Sequence, residues 1–361
     1  MIVAYNQGSK RRCFGVYKTG GCRYGSHRSI EPAGSLPQPA WKLDNSPAIW
    51  DNEILIAAET LNIDAASFRQ MSREAGGDVE GIKKIILKTV AERGKQHNPV
   101  TGSGGMLIGR VADIGPELRG RDLAVGDRIA TLVSLSLTPL KIDRILAVRP
   151  ETCQVDVVGQ AVLFASGIYA KMPADLPDKL ALAVLDVAGA PAQTAKIVSP
   201  GATVLIIGAG GKSGLLCLHQ ARKRVGSAGR VIALDYAEAA LDRVAQLEAA
   251  DVIIQADATQ PLAVLRKVEE ATAGDLADVT INCVDVPGTE MASVLATRDG
   301  GLVYFFSMAT SFTAAALGAE GVGKDVQMLI GNGYTAGHAQ VALDCVREND
   351  TLRELFTSLY A

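Results

Sequence analysis

The sequence predicts an α/β protein of two domains, a β-rich first domain and a second domain built on a doubly wound parallel sheet. Its 361 residues are enough for two domains of ordinary size. The first half carries short apolar runs between glycine-marked turns, whereas apolar strands and amphipathic helices alternate after Pro177. With 48% hydrophobic and 21% charged residues, the composition excludes a disordered or fibrous chain.

The first half is predicted to form strands with one helix among them. Short apolar or alternating runs predict strands at 54–56, 106–111 and 128–133. In residues 78–93 the apolar residues recur every three or four positions. This spacing predicts an amphipathic helix that ends at Gly94.

The second half is predicted to consist of βαβ units. A helix is expected at 178–198 and a buried strand at 203–207. Further strands are predicted at 231–234, 252–254, 279–281, 302–306 and 326–330, and helices at 214–225, 238–248, 261–273 and 290–297. Strands that are apolar throughout, and that alternate with helices, indicate a parallel sheet covered on both faces.

Charge and cysteine content restrict the partners and the compartment. The 36 basic and 39 acidic residues give a net charge of −3, which supplies no basic field for nucleic acid or an anionic membrane. Asp186 interrupts the longest apolar stretch, so no membrane helix is expected. The six cysteines include no CxxC pair, which predicts a reduced, cytoplasmic protein. Residues 1–18 are basic and acid-free, and we expect an irregular arm there.

A glycine-rich loop directly follows the strand predicted at 203–207. Glycines at 208, 211 and 214 form a spacing variant of the dinucleotide-binding loop, where small residues let the backbone approach a pyrophosphate. A P-loop would need a glycine where Ile206 stands, and a tight turn without a ligand is the other alternative. We expect cofactor contacts from Gly208, Gly210, Gly211, Lys212, Ser213 and Gly214.

Asp235 ends the next predicted strand, 21 residues beyond Gly214. A carboxylate at this position can accept hydrogen bonds from the ribose hydroxyls of a dinucleotide. It would repel the 2′-phosphate of NADP, and no basic residue follows closely, since the next residues are Tyr236, Ala237 and Glu238. The sequence therefore predicts NAD as the cofactor, with NADP as the weaker alternative.

Three segments, 98–105, 123–130 and 192–195, resemble the medium-chain dehydrogenase/reductase superfamily, and Thr194 lies in the last of them. The resemblance implies a GroES-like β domain plus a Rossmann doubly wound parallel sheet, with Thr194 near the cofactor. We expect the first domain at residues 1–179, completed by 336–361, and the Rossmann domain at 180–335. A homodimer is the expected assembly, because this fold commonly pairs through Rossmann edge strands.

Zinc-dependent members of that superfamily differ from this chain at their metal ligands. They carry a cysteine where this chain has Asn62, and a His-Glu pair where it has Ser103 and Gly104. The four histidines of the chain show no ligand spacing. We therefore expect no metal.

A narrower resemblance is carried by residues 24–28 with 31–32 and by segments 100–107, 131–140, 182–194, 304–312 and 318–325. Together they resemble the L-erythro-3,5-diaminohexanoate dehydrogenase family of lysine fermentation. The resemblance covers about residues 21–360. It implies NAD(P)-dependent oxidative deamination of (3S,5S)-3,5-diaminohexanoate to 5-amino-3-oxohexanoate and ammonia.

That chemistry needs a group that takes a proton from the substrate ammonium. The candidate catalytic carboxylates are Asp64 and Glu320, for which a helix N-cap and a solvated loop residue are the respective alternatives. Ser307 and Met308 follow the fifth Rossmann strand, where we expect nicotinamide contacts, although Met308 could instead be a core residue.

The charged groups of the substrate also need partners, because an unpaired charge is costly to desolvate. Candidate substrate-binding residues are Arg28, Asn62, Thr101, Ser103 and Lys141, and the alternative for Arg28 is an exposed arm residue. A zinc-free quinone or enone reductase remains an alternative function, as does a non-catalytic NADPH-binding protein.

Overall fold

The computed structural model describes residues 17–98, 102, 104–331 and 333–360. The chain divides into two compact units, with the boundary between Met172 and Pro173. Within the described residues, no helix is long and apolar enough to cross a membrane. The five cysteines in this part of the chain are all free.

The first unit is built on a six-stranded antiparallel sheet. The unit as a whole contains the strands β1 (Ser29–Glu31), β2 (Lys42–Leu43), β3 (Glu53–Asn62), β4 (Met106–Ile114), β5 (Arg128–Thr131), β6 (Leu140–Arg149), β7 (Gln154–Phe164) and β8 (Tyr169–Lys171). Its helices are α1 (Ala65–Glu74) and α2 (Val79–Arg93). The sheet order is β6-β7-β3-β4-β5-β8, whereas β1 and β2 form a separate pair. Ile54 and Ile56 of β3 lie in one buried cluster with Ile82 and Ile86 of α2.

Helix α2 confirms the helix predicted at 78–93. The side chain of Asp78 caps its N-terminus by accepting a hydrogen bond from the Gly81 amide at 2.9 Å. Gly94 ends it in the left-handed conformation, at φ +67°, and a Cβ there would lie 2.1 Å from the carbonyl oxygen of Leu43. Only glycine satisfies both conditions.

The second unit contains a six-stranded parallel sheet. Its strands are β9 (Thr203–Ile207), β10 (Arg230–Asp235), β11 (Val252–Gln255), β12 (Ala277–Asn282), β13 (Thr297–Phe305) and β14 (Gln327–Ile330). Their order is β11-β10-β9-β12-β13-β14, so the sheet extends outward in both directions from β9 and β12. This is the doubly wound order of a Rossmann domain. The helices are α3 (Asp178–Leu185), α4 (Gly189–Ile197), α5 (Lys212–Val225), α6 (Glu238–Leu247), α7 (Pro261–Thr272), α8 (Glu290–Ala296), α9 (Phe312–Val322), α10 (His338–Glu348) and α11 (Asp350–Tyr360).

The helix predicted at 178–198 is in fact two helices, α3 and α4. Pro191 explains the break, because inside a continuous helix its ring would clash with the carbonyl of Val187. The chain instead turns after Leu185, where the amide of Ala188 donates to the Leu185 carbonyl at 3.3 Å. Pro191 then lies in the first turn of α4, where a missing N–H is tolerated.

The C-terminal helices α10 and α11 pack within the second unit, against α3, α4 and α5. Arg347 of α10 pairs with Asp175 at 2.8 Å, and Glu348 accepts a hydrogen bond from Lys223 of α5 at 2.7 Å. The domain division predicted from the sequence, with residues 1–179 completed by 336–361 in the first domain, stays a prediction. The contacts within the chain group residues 173–361 into the second unit, which contains α10 and α11.

Candidate active site

The glycine loop between β9 and α5 is shaped by close backbone contacts. Gly208 adopts φ +78°, and its amide donates to the Leu234 carbonyl at 2.9 Å. A Cβ at Gly210 would lie 2.3 Å from the Ala240 carbonyl oxygen, and one at Gly214 would lie 2.2 Å from that of Gly208. At Gly211 the nearest atom would be 3.4 Å away, which is ordinary contact. The fold itself therefore requires three of the four predicted glycines.

A cavity of about 530 Å³ opens beside this loop. It lies at the carboxyl ends of β9, β10, β11 and β12, where the strand order reverses and where doubly wound sheets bind ligands. Of the predicted cofactor residues, Gly208, Gly211 and Asp235 line it. The first amides of α5 have no side-chain cap, since Gly211 occupies the cap position. Such an N-terminus favours an anionic group.

Asp235 both supports the loop and faces the cavity. Its Oδ2 accepts a hydrogen bond from the Gly210 amide at 2.9 Å, and its Oδ1 accepts one from the Tyr236 amide at 2.8 Å. A carboxylate has about four lone-pair sites, so acceptor capacity remains for a ligand hydroxyl. Arg243 also lines the cavity, and its Nε donates to the Gly210 carbonyl at 2.9 Å.

The other predicted cofactor residues lie outside the cavity lining. The ammonium of Lys212 pairs with Asp186 at 3.0 Å, and Ser213 is buried. The hydroxyl of Thr194 donates to the Ala190 carbonyl within α4. Ser307 accepts a hydrogen bond from the Ala309 amide, whereas Met308 is 73% exposed. The core alternative for Met308 is therefore wrong.

Several residues that line this cavity were not predicted as cofactor contacts, among them Tyr236, Asp257, Thr259 and Cys283. Asp257 and Cys283 follow β11 and β12 closely, as Asp235 ends β10. Their position after consecutive parallel strands could have revealed them. Arg243, by contrast, reaches the cavity from α6.

In the first unit, Asp64 caps helix α1. Its Oδ1 accepts a hydrogen bond from the Ser67 amide at 2.9 Å, and the Ser67 hydroxyl donates to its Oδ2. Asn98 in turn donates to the Ser67 hydroxyl at 3.0 Å. The predicted N-cap alternative is thus realised. Asn62 ends β3 two residues earlier, while Thr101 and Ser103 lie outside the described residues.

Arg28 is structural in this geometry, which corrects the expectation of a substrate-binding or exposed residue. Its side chain is fully buried and makes two hydrogen bonds to Glu53, at 2.7 and 2.6 Å. Its remaining N–H groups donate to the carbonyls of Asp44, Ser46 and Ala48. All five guanidinium donors are used, so none is left for a substrate.

Glu53 is the buried partner of Arg28. Burial by itself raises the pKa of this carboxyl, but hydrogen bonds from Arg28 and His27 outweigh it and hold the pKa below its usual value. The His27 Nε2 lies 2.8 Å from the Glu53 Oε1. This cluster therefore holds a charged pair inside the first unit.

Two further candidates lie on exposed surfaces. Lys141 on β6 pairs with Asp143 at 2.9 Å, and both side chains are about half exposed. Glu320 lies near the end of α9 in the second unit and is exposed. The two candidate catalytic carboxylates thus belong to different units.

The chain has close relatives of known name. Residues 27–173 match the family described as the L-erythro-3,5-diaminohexanoate dehydrogenase N-terminal domain. The L-erythro-3,5-diaminohexanoate dehydrogenases of Acetoanaerobium sticklandii and Fusobacterium nucleatum subsp. nucleatum are each 57% identical to it, over 341 and 344 residues. Each alignment covers 94% of this chain and 99% of the relative. The chain belongs to the L-erythro-3,5-diaminohexanoate dehydrogenase family.

Membership of the diaminohexanoate dehydrogenase family confirms the resemblance found in the sequence and makes the protein an oxidoreductase. More distant solved structures share the fold. A mycobacterial protein complexed with NADPH is 17% identical at a TM-score of 0.55, over 96% of both chains. An alcohol dehydrogenase from Thermotoga maritima is 17% identical at a TM-score of 0.53, over 85% of this chain and 84% of that one. They confirm the predicted GroES-like and Rossmann fold class.

Proposed function

We propose that the protein catalyses the NAD(P)-dependent oxidative deamination of 3,5-diaminohexanoate at C3, giving 5-amino-3-oxohexanoate and ammonia. The observation that carries this proposal is 57% identity to two diaminohexanoate dehydrogenases, sustained over 94% of the chain. Identity of this extent covers both units, so the same β domain and the same cofactor domain are present in the relatives.

The residues of the cavity beside the glycine loop fit a nicotinamide dinucleotide. Gly208, Gly210 and Gly214 keep the loop free of side chains, and the open amides at the start of α5 suit a pyrophosphate. Asp235 would accept hydrogen bonds from the ribose hydroxyls, which favours NAD over NADP. When bound, the cofactor supplies the hydride acceptor for oxidation at C3.

The substrate amine must first lose a proton, and we assign that role to Asp64. Its carboxylate accepts two hydrogen bonds from Ser67 and retains lone pairs for an ammonium donor. Glu320 is the second candidate, from the other unit. Asn62, Thr101, Ser103 and Lys141 remain the proposed substrate-binding residues, whereas the saturated guanidinium of Arg28 removes it from that set.

The proposal is tested by incubating the protein with NAD and 3,5-diaminohexanoate and following both NADH absorbance and released ammonia. We expect equal amounts of the two products. No product with either NAD or NADP, together with NADPH-dependent reduction of a quinone, would instead identify a quinone reductase of the same fold.

We also propose a homodimer that pairs through the edge of the parallel sheet. Strand β14 is one of the two edge strands of that sheet, and its Ile330 is 51% exposed. Light scattering coupled to size-exclusion chromatography measures the molar mass. A mass of one chain at micromolar concentration contradicts the dimer.

A further inference from the structure

The cavity beside the glycine loop extends beyond Asp235, to residues 256–259. The pyrophosphate is proposed to lie at the start of α5, after β9, and the ribose at Asp235, which ends β10. The next strand outward is β11, whose Gln255 lies opposite Asp235 in the sheet. In each half of a dinucleotide the ribose joins the phosphate to the base, so the base extends away from the pyrophosphate. The residues that follow β11 therefore lie where the adenine base is expected.

The lining of this part of the cavity suits a flat aromatic ring. Ala240, Ala256 and Ala258 each carry only a methyl group, so they leave the space open. Tyr236, the residue after Asp235, also lines the cavity and is 71% exposed. An exposed phenol ring offers a planar surface on which any base can stack. These residues supply room and contact area, but they do not distinguish one base from another.

Asp257 gives this part of the cavity a hydrogen-bond acceptor. Its Oδ1 accepts hydrogen bonds from the Thr259 hydroxyl at 2.7 Å and from the Thr259 amide at 2.9 Å. The bond from the hydroxyl, followed by that from the amide, lowers the pKa of Asp257, so the carboxylate is charged at physiological pH. Among the described residues nothing donates to its Oδ2, and this atom is not buried. Asp257 thus presents an accessible acceptor whose orientation is set by Thr259.

An acceptor at this position can distinguish between purine bases. A carboxylate oxygen accepts hydrogen bonds and cannot donate them. Adenine carries the exocyclic amino group N6, which donates. Hypoxanthine carries a carbonyl oxygen in the same place, and this oxygen only accepts. Because two acceptors that face each other are both left without a donor, a carboxylate here favours adenine.

We propose that Asp257 recognises the base of the cofactor, with its Oδ2 accepting a hydrogen bond from the adenine N6 amino group. Tyr236 contributes contact area, whichever base is present. This inference rests on the proposed function for the class of cofactor, a nicotinamide adenine dinucleotide. Asp257 is then a specificity residue for the base, as Asp235 is proposed to be for the ribose.

The first test measures dinucleotide binding by calorimetry, without the diamino acid. The two probes are NAD and nicotinamide hypoxanthine dinucleotide, which differ only in the base. We expect the wild type to bind NAD about tenfold more tightly, because only adenine has a donor at the position of N6. Equal affinity for the two probes, or binding of neither, overturns the inference.

The second test is the substitution Asp257→Asn. The side-chain oxygen of asparagine can still accept both bonds from Thr259, and its amide nitrogen then takes the place of Oδ2. An amide donor suits the carbonyl of hypoxanthine, so we expect the preference for NAD to fall about tenfold, partly because the hypoxanthine dinucleotide binds more tightly than to the wild type. The melting temperature should not change, since asparagine preserves this turn. An aspartate that only shapes the loop would leave the preference unchanged, and that result overturns the inference.

Two further variants are controls within the same cavity. Asp285 also lines it, but follows β12, which lies on the other side of β9 from β11. Asp285→Asn removes the same charge and should change the affinities for both probes by the same factor. Tyr236→Ala should weaken both by about tenfold, because every base has a face on which to stack. If Asp285→Asn lowers the preference for NAD as much as Asp257→Asn does, the effect is one of overall charge and the inference is wrong.

Failure of the proposed function gives a different result. A wild-type protein that prefers NAD over the hypoxanthine dinucleotide, but forms no NADH from 3,5-diaminohexanoate, supports the role of Asp257 and contradicts the proposed reaction. An enzyme that oxidises the diamino acid, but binds both dinucleotides equally well, keeps the proposed function and contradicts the role of Asp257.

Discussion

The two units build their cavities from different materials. In the second unit, the cavity lies at the carboxyl ends of parallel strands, beside a loop in which close backbone contacts require the glycines at 208, 210 and 214. In the first unit, side chains of Trp41, α1, α2 and residues 96–98 form a smaller cavity of about 220 Å³. A cavity made by backbone leaves a readable glycine pattern, whereas one made by side chains depends on packing that no local pattern records.

The largest expected effect is on the stability of the first unit. Glu53→Gln leaves Arg28 as a buried, incompletely paired charge, and we expect a loss of about 3–5 kcal/mol in the free energy of unfolding. Asp143→Asn breaks the exposed Lys141 pair instead and should change stability by less than about 1 kcal/mol. Urea denaturation followed by circular dichroism compares them, and equal losses would contradict the buried-pair argument.

The buried pair of Arg28 and Glu53 also predicts a pH dependence of stability. The folded pKa of Glu53 is below its ordinary value, so its stabilising contribution is present above the unfolded pKa, about 4.3. That contribution is lost as pH falls through the folded pKa. Stability measured from pH 7 downward should therefore fall less steeply in Glu53→Gln than in the wild type. Parallel curves would show that other carboxylates dominate.

The next effect is on kcat, and it compares a candidate base in the first unit, Asp64, with one in the second unit, Glu320. Asp64→Asn removes the proposed base and should lower kcat by about 100-fold with KM for NAD unchanged. Asparagine caps a helix as well as aspartate does, so the melting temperature should not change. Glu320→Gln is the comparison, and we expect less than a twofold change. Changes within twofold at both positions would place the base elsewhere, and a loss confined to Glu320→Gln would assign it to the second unit.

The structure of the second unit follows its sequence pattern most closely. Strand β9 spans 203–207 as predicted, and Asp235 faces the cavity, because both follow from strands that are apolar along their whole length. In the first unit, β6 and β7 were missed. Strand β6 carries Asp143 and Arg144 on a largely exposed surface, so it lacks the apolar alternation that marks a half-buried strand.

Arg28 shows a second limit of sequence reasoning. A basic residue in a basic segment gives no local sign that Glu53, 25 positions away, will pair with it in the core. Long-range pairing of this kind is set by tertiary packing. The same reason explains why a smaller cavity in the first unit could not be found from sequence, since Trp41, α1, α2 and residues 96–98 meet only after folding.

A smaller effect concerns cofactor choice and belongs to the second unit alone. We expect the wild type to prefer NAD over NADP by about tenfold, or about 1.4 kcal/mol, because Asp235 faces the cavity. Asp235→Ser should narrow this ratio by improving kcat/KM for NADP. Equal or better kcat/KM with NADP in the wild type would show that Arg243, which lines the same cavity, outweighs the carboxylate. Arg222 does not line that cavity and is paired with Asp251 at 2.7 Å.

The smallest expected effect is that of a chelator. The resemblance to the medium-chain dehydrogenase/reductase superfamily implies that Asn62, Ser103 and Gly104 stand where its zinc-dependent members carry metal ligands. Dialysis against EDTA should therefore leave kcat unchanged. Stoichiometric zinc in the purified protein, together with lost activity after dialysis and recovery on adding zinc, would contradict the expectation.

Cys283 is a thiol in the lining of the cavity beside the glycine loop. Burial raises the pKa of the Cys217 thiol, and it raises that of Cys345 to about 12, so both are poor nucleophiles. Cys283 is partly exposed and lines the cavity, which makes it the thiol of the second unit that an alkylating reagent reaches first. A dinucleotide in the cavity would shield it. The rate at which Cys283 is covalently labelled should therefore fall as dinucleotide binds. Measuring this rate at increasing dinucleotide concentration reports the affinity without substrate or turnover.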